Sequence, residues 1–393
     1  MLKKKEVETW MNCPECNIRL KEHHLSDHMR RIHNKNIEDK KTEPSESSNK
    51  KIYKEKNTRS ISKAIISLII IIVVILAFSI YIIYFTNNNN NSNGQNNHKT
   101  NYYVSINGKG DYSSIQKAVD SASENDIIYV NNGTYFENIE INESISLIGK
   151  DKNTTIIEGN GSGIVINILA DNVKISGFTI KNGGPSSADS SNAGIVIRSN
   201  NNTISDCNIS SNENYGLYIF SSPETTNNLI KNNTFSYNKY GIYTSYAKSS
   251  NISSNTFTHN TDYGIYLSSR SDNNIISNNI ITNTKNMYGL RIKTSSGNKV
   301  INNKIMNNEN GGLYFCCGAS KNIVYKNDFI NNTDWNANHG NLNNTWDNGE
   351  VGNYWDDYNG TDANGDGIGD TPYVIYKVVG EDYSDKFPLM NPI

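Results

Sequence analysis

The stretch Tyr263–Asn283, "YGIYLSSRSDNNIISNNIITN", decides how the chain is read, because the chain keeps rewriting it. It stands earlier as "YGLYIFSSPETTNNLIKNNTF" from Tyr215 and "YGIYTSYAKSSNISSNTF" from Tyr240. It returns as "YGLRIKTSSGNKVINNKI" from Tyr288 and "GGLYFCCGASKNIVYKNDF" from Gly311. Aligned on the glycine, the copies fall at Gly194, Gly216, Gly241, Gly264, Gly289 and Gly312, in steps of 22 to 25 residues. Two apolar tracks run alongside: Ile204, Ile230, Ile252, Ile276, Val300, Val324 and Ile209, Phe235, Phe257, Ile281, Ile305, Phe329. Their steps match at every copy (26, 22, then 24 throughout), which marks an array of equivalent units.

Within each copy the apolar period is two. After the glycine, Leu217/Ile219, Ile242/Thr244, Ile265/Leu267, Leu290/Ile292 and Leu313/Phe315 alternate with polar or aromatic residues. Such short alternation means strands with one buried face, and no ten-residue helical pattern interrupts it. A unit of this length holds three short strands and three turns. Stacked in parallel, such units give an all-β, parallel β-helix rising ~4.8 Å per coil. Asn233, Asn255, Asn279, Asn303 and Asn327 recur two residues before the third track. Asn tolerates left-handed turns and can stack into amide ladders, so this track reads as structural. "DYSSIQKAVDSASENDIIYV", with Ile115, Ala118, Val119 and Ala122 on one helical face, reads as an N-terminal cap over an otherwise open edge. Trp335, Trp346 and Trp355 read as the other cap.

Ahead of the repeats the composition changes. Ile61 to Phe85, "ISKAIISLIIIIVVILAFSIYIIYF", is uncharged from Ala64 on and long enough to cross a bilayer as a single transmembrane helix. Some 60 polar residues precede it and no small-residue cleavage site follows closely, which disfavours a signal peptide. Lys50, Lys51, Lys54, Lys56, Arg59 and Lys63 crowd its N-terminal side, so the N-terminus is expected in the cytoplasm and the repeats outside the cell. The net charge of −2 gives no polyelectrolyte signal. The expected organisation is a zinc-finger module over 1–40, a basic linker over 41–60, the membrane helix over 61–85, an Asn-rich tether over 86–100, the β-helix over 101–335 and a C-terminal cap over 336–393. Sequons such as Asn132, Asn142, Asn153 and Asn251 would lie outside and be open to glycosylation.

"YSSIQKAVDSASENDIIYVNNGTYFENIEINESISLIG" resembles the opening of right-handed parallel β-helix proteins of the NosD and pectin-esterase type. "GNYWDDYNGTDANGDGIGDTPYVI", with "FPLMNP" after it, is similar to the C-terminal signature of NosD-like surface proteins. The resemblance spans about 101–393. It implies the fold firmly and the activity less: such relatives include copper-site maturation proteins, surface proteins, and carbohydrate-binding and sugar-cleaving members.

Three constellations carry chemistry. Tyr218, Tyr243, Tyr266, Arg291 and Tyr314 sit two after the repeat glycine, so they face solvent in one column. Aromatic faces suit sugar rings and a guanidinium bonds hydroxyls, so this column is the expected glycan-binding stripe; self-packing of the rings is the alternative. "DANGDGIGD" places Asp362, Asn364, Asp366, the Ile368 carbonyl and Asp370 at positions 1, 3, 5, 7 and 9 of a calcium loop. Its position 12 is Tyr373, so Asp356 or Asp357 is expected to complete the shell. Cys13, Cys16, His28 and His33 form a Cys2His2-like zinc site, with His24 a possible substitute. One finger offers few base contacts, so nucleic acid is not the expected partner.

The glycine-led strands carry no carboxylate; Glu213, Asp262 and Glu309 lie in the turns before them. "GLRIKT" lacks the companion motifs of the glycosidases it echoes. The favoured sequence reading is therefore a membrane-anchored surface protein that binds glycans or builds the envelope without catalysis. The competing classes are a polysaccharide-modifying hydrolase or lyase, and copper delivery through Cys316 and Cys317, one of which alternation puts in the core.

Overall fold

The computed structural model describes residues 10–12, 19–21, 100–185, 192–339, 343–378 and 381–393. The expected zinc ligands Cys13, Cys16, His28 and His33 and the expected membrane span 61–85 lie outside the described residues. Two units are present, Met1–Asn93 and Gly94–Ile393. In the first, Trp10–Asn12 pairs antiparallel with Arg19–Lys21. Among the described residues no helix is long and apolar enough to cross a membrane.

The second unit is a right-handed parallel β-solenoid of about 10 coils. Each coil contributes one short strand to each of three parallel sheets of 10, 10 and 9 strands. The apolar tracks are contacts. Ile204, Ile230, Ile252, Ile276, Val300 and Val324 pair coil to coil in the first sheet. Ile209, Phe235, Phe257, Ile281, Ile305 and Phe329 do so in the second. All are buried, and Phe235 stacks on Phe257 at 5.0 Å. The longest step has a local cause: the strand Tyr215–Thr226 shifts register between Phe220 and Thr225, which absorbs its extra residues.

The corners fix the coil. Between the first and second sheets Asn233, Asn255, Asn279, Asn303, Asn327 and Asn353 turn inward and are buried. In the first five, the main-chain N–H and the side-chain amide both donate to Oδ1 of the next asparagine, at 2.8–3.1 Å. The amide also donates to a core-strand carbonyl of the preceding coil at 2.8–2.9 Å. The left-handed backbone falls on the residue before each of these five, at Asn232, Ser254, Asn278, Asn302 and Lys326, rather than on the ladder asparagine as the sequence suggests. The other two corners carry ladders as well: Asn274, Asn298, Asn322 and Asn344 at one, Asn212, Asn238 and Asn260 at the other.

Both ends are closed. The helix Ile115–Ser121 covers the N-terminal edge with Ile115, Ala118 and Val119. Glu137, from a strand end, accepts from Ser114 Oγ and from the Ile115 and Gln116 N–H groups, so the first turn of the helix is tied to the coil beneath it. At the other end Trp355 lies between Phe329 and Tyr373, at 4.4 and 4.3 Å. Asp385, fully buried, ends the ladder: its carboxylate accepts from Asn353 N at 2.7 Å, Trp355 Nε1 at 2.9 Å and Phe387 N at 3.0 Å. The stack continues beyond residue 335, since Ala337–His339 and Tyr354–Trp355 are its last rungs. Trp335 is not in this cap; its ring faces outward against Tyr288 and Tyr314.

Asn279→Ala removes an acceptor shared by two donors and a donor shared by two acceptors in the interior. It is expected to cost about 3 kcal/mol or more, read as a lower urea midpoint at unchanged slope. Burial raises the Asp385 carboxyl to about 6 from 3.8, against the lowering effect of its N–H donors. The folded state then holds this proton more tightly than the unfolded chain between those values. Stability from this group is therefore present below pH 3.8 and declines as pH rises to about 6. Melting temperature against pH should show this component in the native chain and not in Asp385→Asn.

Candidate functional site

The outward face of the third sheet concentrates side chains able to meet a ligand. Tyr218, Tyr243, Tyr266, Arg291 and Tyr314 pair in unbroken register along it. The glycine track makes this possible: a Cβ at Gly216 would lie 2.7 Å from the Gly241 carbonyl oxygen and 2.9 Å from Asn238 Nδ2. The strand therefore enters tight against the corner ladder and presents its neighbours outward.

A second column, not singled out in the sequence, stands beside the first. Tyr215, Tyr240 and Tyr263, each directly before a repeat glycine, stack at 5.1 and 5.3 Å, and Tyr288 and Trp335 extend the row. The signal was visible, since "YG" opens four copies. The two columns interlock, with Tyr215 on Tyr218 at 4.9 Å and Tyr263 on Tyr266 at 4.8 Å. At β spacing, consecutive rings must touch. Their faces are turned on one another, and Tyr263 and Tyr266 are only 4% and 8% exposed. The face offers hydroxyls and ring edges at its centre, with half-buried rings at Tyr218, Tyr243 and Tyr314.

Arg291 interrupts the first column. Its Nη1 donates to the Tyr263 hydroxyl at 2.7 Å and its Nη2 to Cys316 Sγ at 3.3 Å. The guanidinium lies 4.9 Å from the Tyr266 ring centre and 5.7 Å from that of Tyr314, in cation–π range. Nε is buried without a partner. Burial pushes Tyr266 up to about 12 in spite of the guanidinium beside it, and Tyr240 is raised by burial and then by Asp262. These phenols stay protonated donors at neutral pH. Neither thiol of the pair is core: Cys316 lies on the outward face against Arg291, and Cys317 is exposed in a left-handed turn. The strand ends at Cys316, so alternation does not extend to its neighbour.

A groove of about 390 Å³ opens at the corner leading into this face, lined in part by Glu213, Tyr237, Lys239 and Thr261. Lys239 joins the two features. Its ammonium lies 5.8 Å from the Tyr240 ring centre and 3.9 Å from Asp262 Oδ2. Asp262 Oδ1 also accepts from Asn286 Nδ2 at 3.1 Å.

The Asp362–Asp370 loop is folded on its own main chain. Asp362 accepts from the N–H groups of Gly365, Asp366 and Gly367, Asp366 from that of Ile368, and Asp370 from that of Ala363. Asn364 donates to Asp366. Asp356 and Asp357, expected to complete a shell there, instead hold Asn336 at 2.7 and 3.0 Å. Among the described residues no three His, Cys, Asp or Glu side chains are placed to hold a metal ion.

The chain matches the family model described as right handed beta helix region over residues 166–329 and 248–351, and that described as pectinesterase over 101–221. It is 33% identical over 95 residues to the probable pectinesterase 67 of Arabidopsis thaliana, covering 21% of this chain and 28% of that protein. The chain thus spans a little over a quarter of the curated relative it matches. Among solved structures it is similar to XylC in complex with xylose, at a TM-score of 0.51 and 12% identity over 62% of this chain and 70% of that one. It is also similar to ORF18 of Geobacillus virus E2, at 0.47 and 18% over 66% and 60%. The likeness to XylC bears on the fold alone. The pectinesterase matches overturn the expectation of a protein without catalysis.

Proposed function

We propose that this chain is a carbohydrate-active enzyme, an esterase or lyase, that works on a polysaccharide laid across the groove and the tyrosine–arginine face. The observation that carries the reading is the junction at Lys239, which lines the polar groove, lies over the Tyr240 ring of that face and stands 3.9 Å from the Asp262 carboxylate beside the groove. The pectinesterase matches support the reaction class. Tyr218, Tyr243, Tyr266, Arg291 and Tyr314 act as glycan contacts through hydroxyls, ring edges and the guanidinium rather than through broad ring stacking. Asp262 is the candidate catalytic carboxylate, able to attack an ester carbonyl or to take a proton. Lys239 beside it would steady the negative charge that develops on oxygen.

In the same reading the enzyme is held at the outer face of a cell membrane by 61–85, with Zn²⁺ at Cys13, Cys16, His28 and His33 on the inner side. Ca²⁺ in the Asp362–Asp370 loop would stiffen the C-terminal cap.

The full chain, offered esterified and unesterified polysaccharides, is expected to release the ester alcohol or acid, or an unsaturated product absorbing in the ultraviolet. Asp262→Asn should lower that rate by roughly 10²-fold or more with the melting temperature kept. Tyr243→Ala/Tyr266→Ala should weaken retention in polysaccharide gels. Equal rates for native and Asp262→Asn protein would remove the catalytic assignment. Equal retention would remove the face. For the loop, a chelator should lower the melting temperature and calcium restore it, and Asp362→Ala should abolish the difference.

A further inference from the structure

Cys316 and Cys317 are consecutive, yet their surroundings differ. Cys316 is 3% exposed although it lies on the outer face of the sheet, where its sulfur accepts from Arg291 Nη2 at 3.3 Å. It pairs in register with Lys293 of the preceding coil, and the Arg291 guanidinium is the cation held against it. Cys317 follows in a turn at φ 59°, with its side chain exposed, and Gly318 continues the turn at φ 90° with open space around it. Burial, and then the neighbouring Cys317 thiol, raise Cys316 while Arg291 lowers it. An exposed attacking sulfur, an adjacent covered sulfur and a guanidinium over the covered one are the parts of a thiol–disulfide exchange site.

We propose that Cys316 and Cys317 form a reversible thiol-modification site that closes to a disulfide between neighbours and thereby governs Arg291. The reagent class is a low-molecular-weight disulfide, RSSR. The Cys317 thiolate attacks one sulfur of RSSR, forming a mixed disulfide and releasing RS⁻. Cys316 gives its proton to solvent, and its thiolate attacks the Cys317 sulfur as Arg291 offsets the charge. The Cys316–Cys317 bond forms and the second RS⁻ leaves. Two thiols are oxidised by two electrons, and RSSR is reduced to two RSH once protons are taken up. Consecutive α-carbons are ~3.8 Å apart, shorter than the usual span of a disulfide, so the bond is strained and readily reduced. Such a bond acts as a switch rather than a staple. Closure withdraws the sulfur that holds Nη2, leaving Arg291 with the Tyr263 hydroxyl alone among its hydrogen-bond partners here. Cys207 is the internal control: it is fully buried, with its thiol pushed up to about 12 by that burial, and takes no part.

The test treats the full chain with oxidised glutathione, then maps peptides by mass after alkylation. The peptide holding Cys316 and Cys317 should lose two hydrogens, regain them with dithiothreitol, and resist alkylation in between; Cys207 should not change. Near-ultraviolet circular dichroism should shift with closure, because Arg291 touches three tyrosines. Cys317→Ser should show neither change, and Cys316→Ser should stop at a stable mixed disulfide. Retention on polysaccharide, the arm that rests on the proposed function, should fall several-fold on oxidation of the native chain alone. A glutathione adduct on Cys317 that never closes, or closure without a dichroism change, overturns the proposal. Closure with the dichroism change and unaltered retention would leave the switch standing and count against the polysaccharide face.

Discussion

The structure depends on one repeated hydrogen-bond pattern, in which an inward asparagine side chain accepts from the main chain of the coil before it and donates to the coil after. A solenoid corner turns the backbone away from its sheet and would leave polar groups buried without partners. The asparagine amide replaces what the sheet can no longer supply, with one oxygen taking two donors and one nitrogen serving two acceptors. Because each link reaches the next coil, the pattern enforces register as well as satisfaction. That explains why residues such as Ser254 and Lys326 accept left-handed geometry just before a ladder position. The pattern must also stop somewhere. A carboxylate can accept several donors and needs to donate nothing, which is what Asp385 does beneath the C-terminal tryptophans.

The same regularity determines what the outer face offers. A tyrosine repeated once per coil is brought to within about 5 Å of its copy. Rings at that spacing become one another's partners, so an aromatic column read from sequence as a stacking platform closes on itself. Its chemically distinct side chains stand where the repetition breaks. Arg291 replaces a tyrosine, Lys239 occupies a corner, and Cys316 ends a strand.

Sequence periodicity carried the architecture because β stacking converts a constant spacing into contact. The apolar tracks, the glycine track and the outward column all follow from it. What it did not convey are features that depend on the shape of the coil. Two of the three ladders were missed because their members are interrupted, as where Ser250 and Thr284 stand in ladder places. The tyrosines before each glycine went unweighed because the glycine resets the alternation on which the reading relied. Asp385 gave no signal, since the last link of the ladder comes from a hairpin outside the repeat. The placement of the Cys316–Cys317 pair turned on where a strand ends, and periodicity is silent there.

The location of the pectinesterase match sharpens where chemistry can reside. Its N-terminal part holds Glu137 and Asp126, and both are committed to fastening the cap: Glu137 to the helix N-terminus, Asp126 to the N–H groups of Thr100 and Ser123. Tyr135 is committed too, its hydroxyl donating to the Asn131 carbonyl at 2.8 Å. These residues build the first coils. The downstream part of the match instead contributes Gly161, Asn182 and Glu213 to the groove, while Tyr237, Lys239 and Thr261 complete it from coils beyond. A likeness that begins as cap architecture therefore ends at the edge of a surface where a carboxylate, an ammonium and a row of phenols meet.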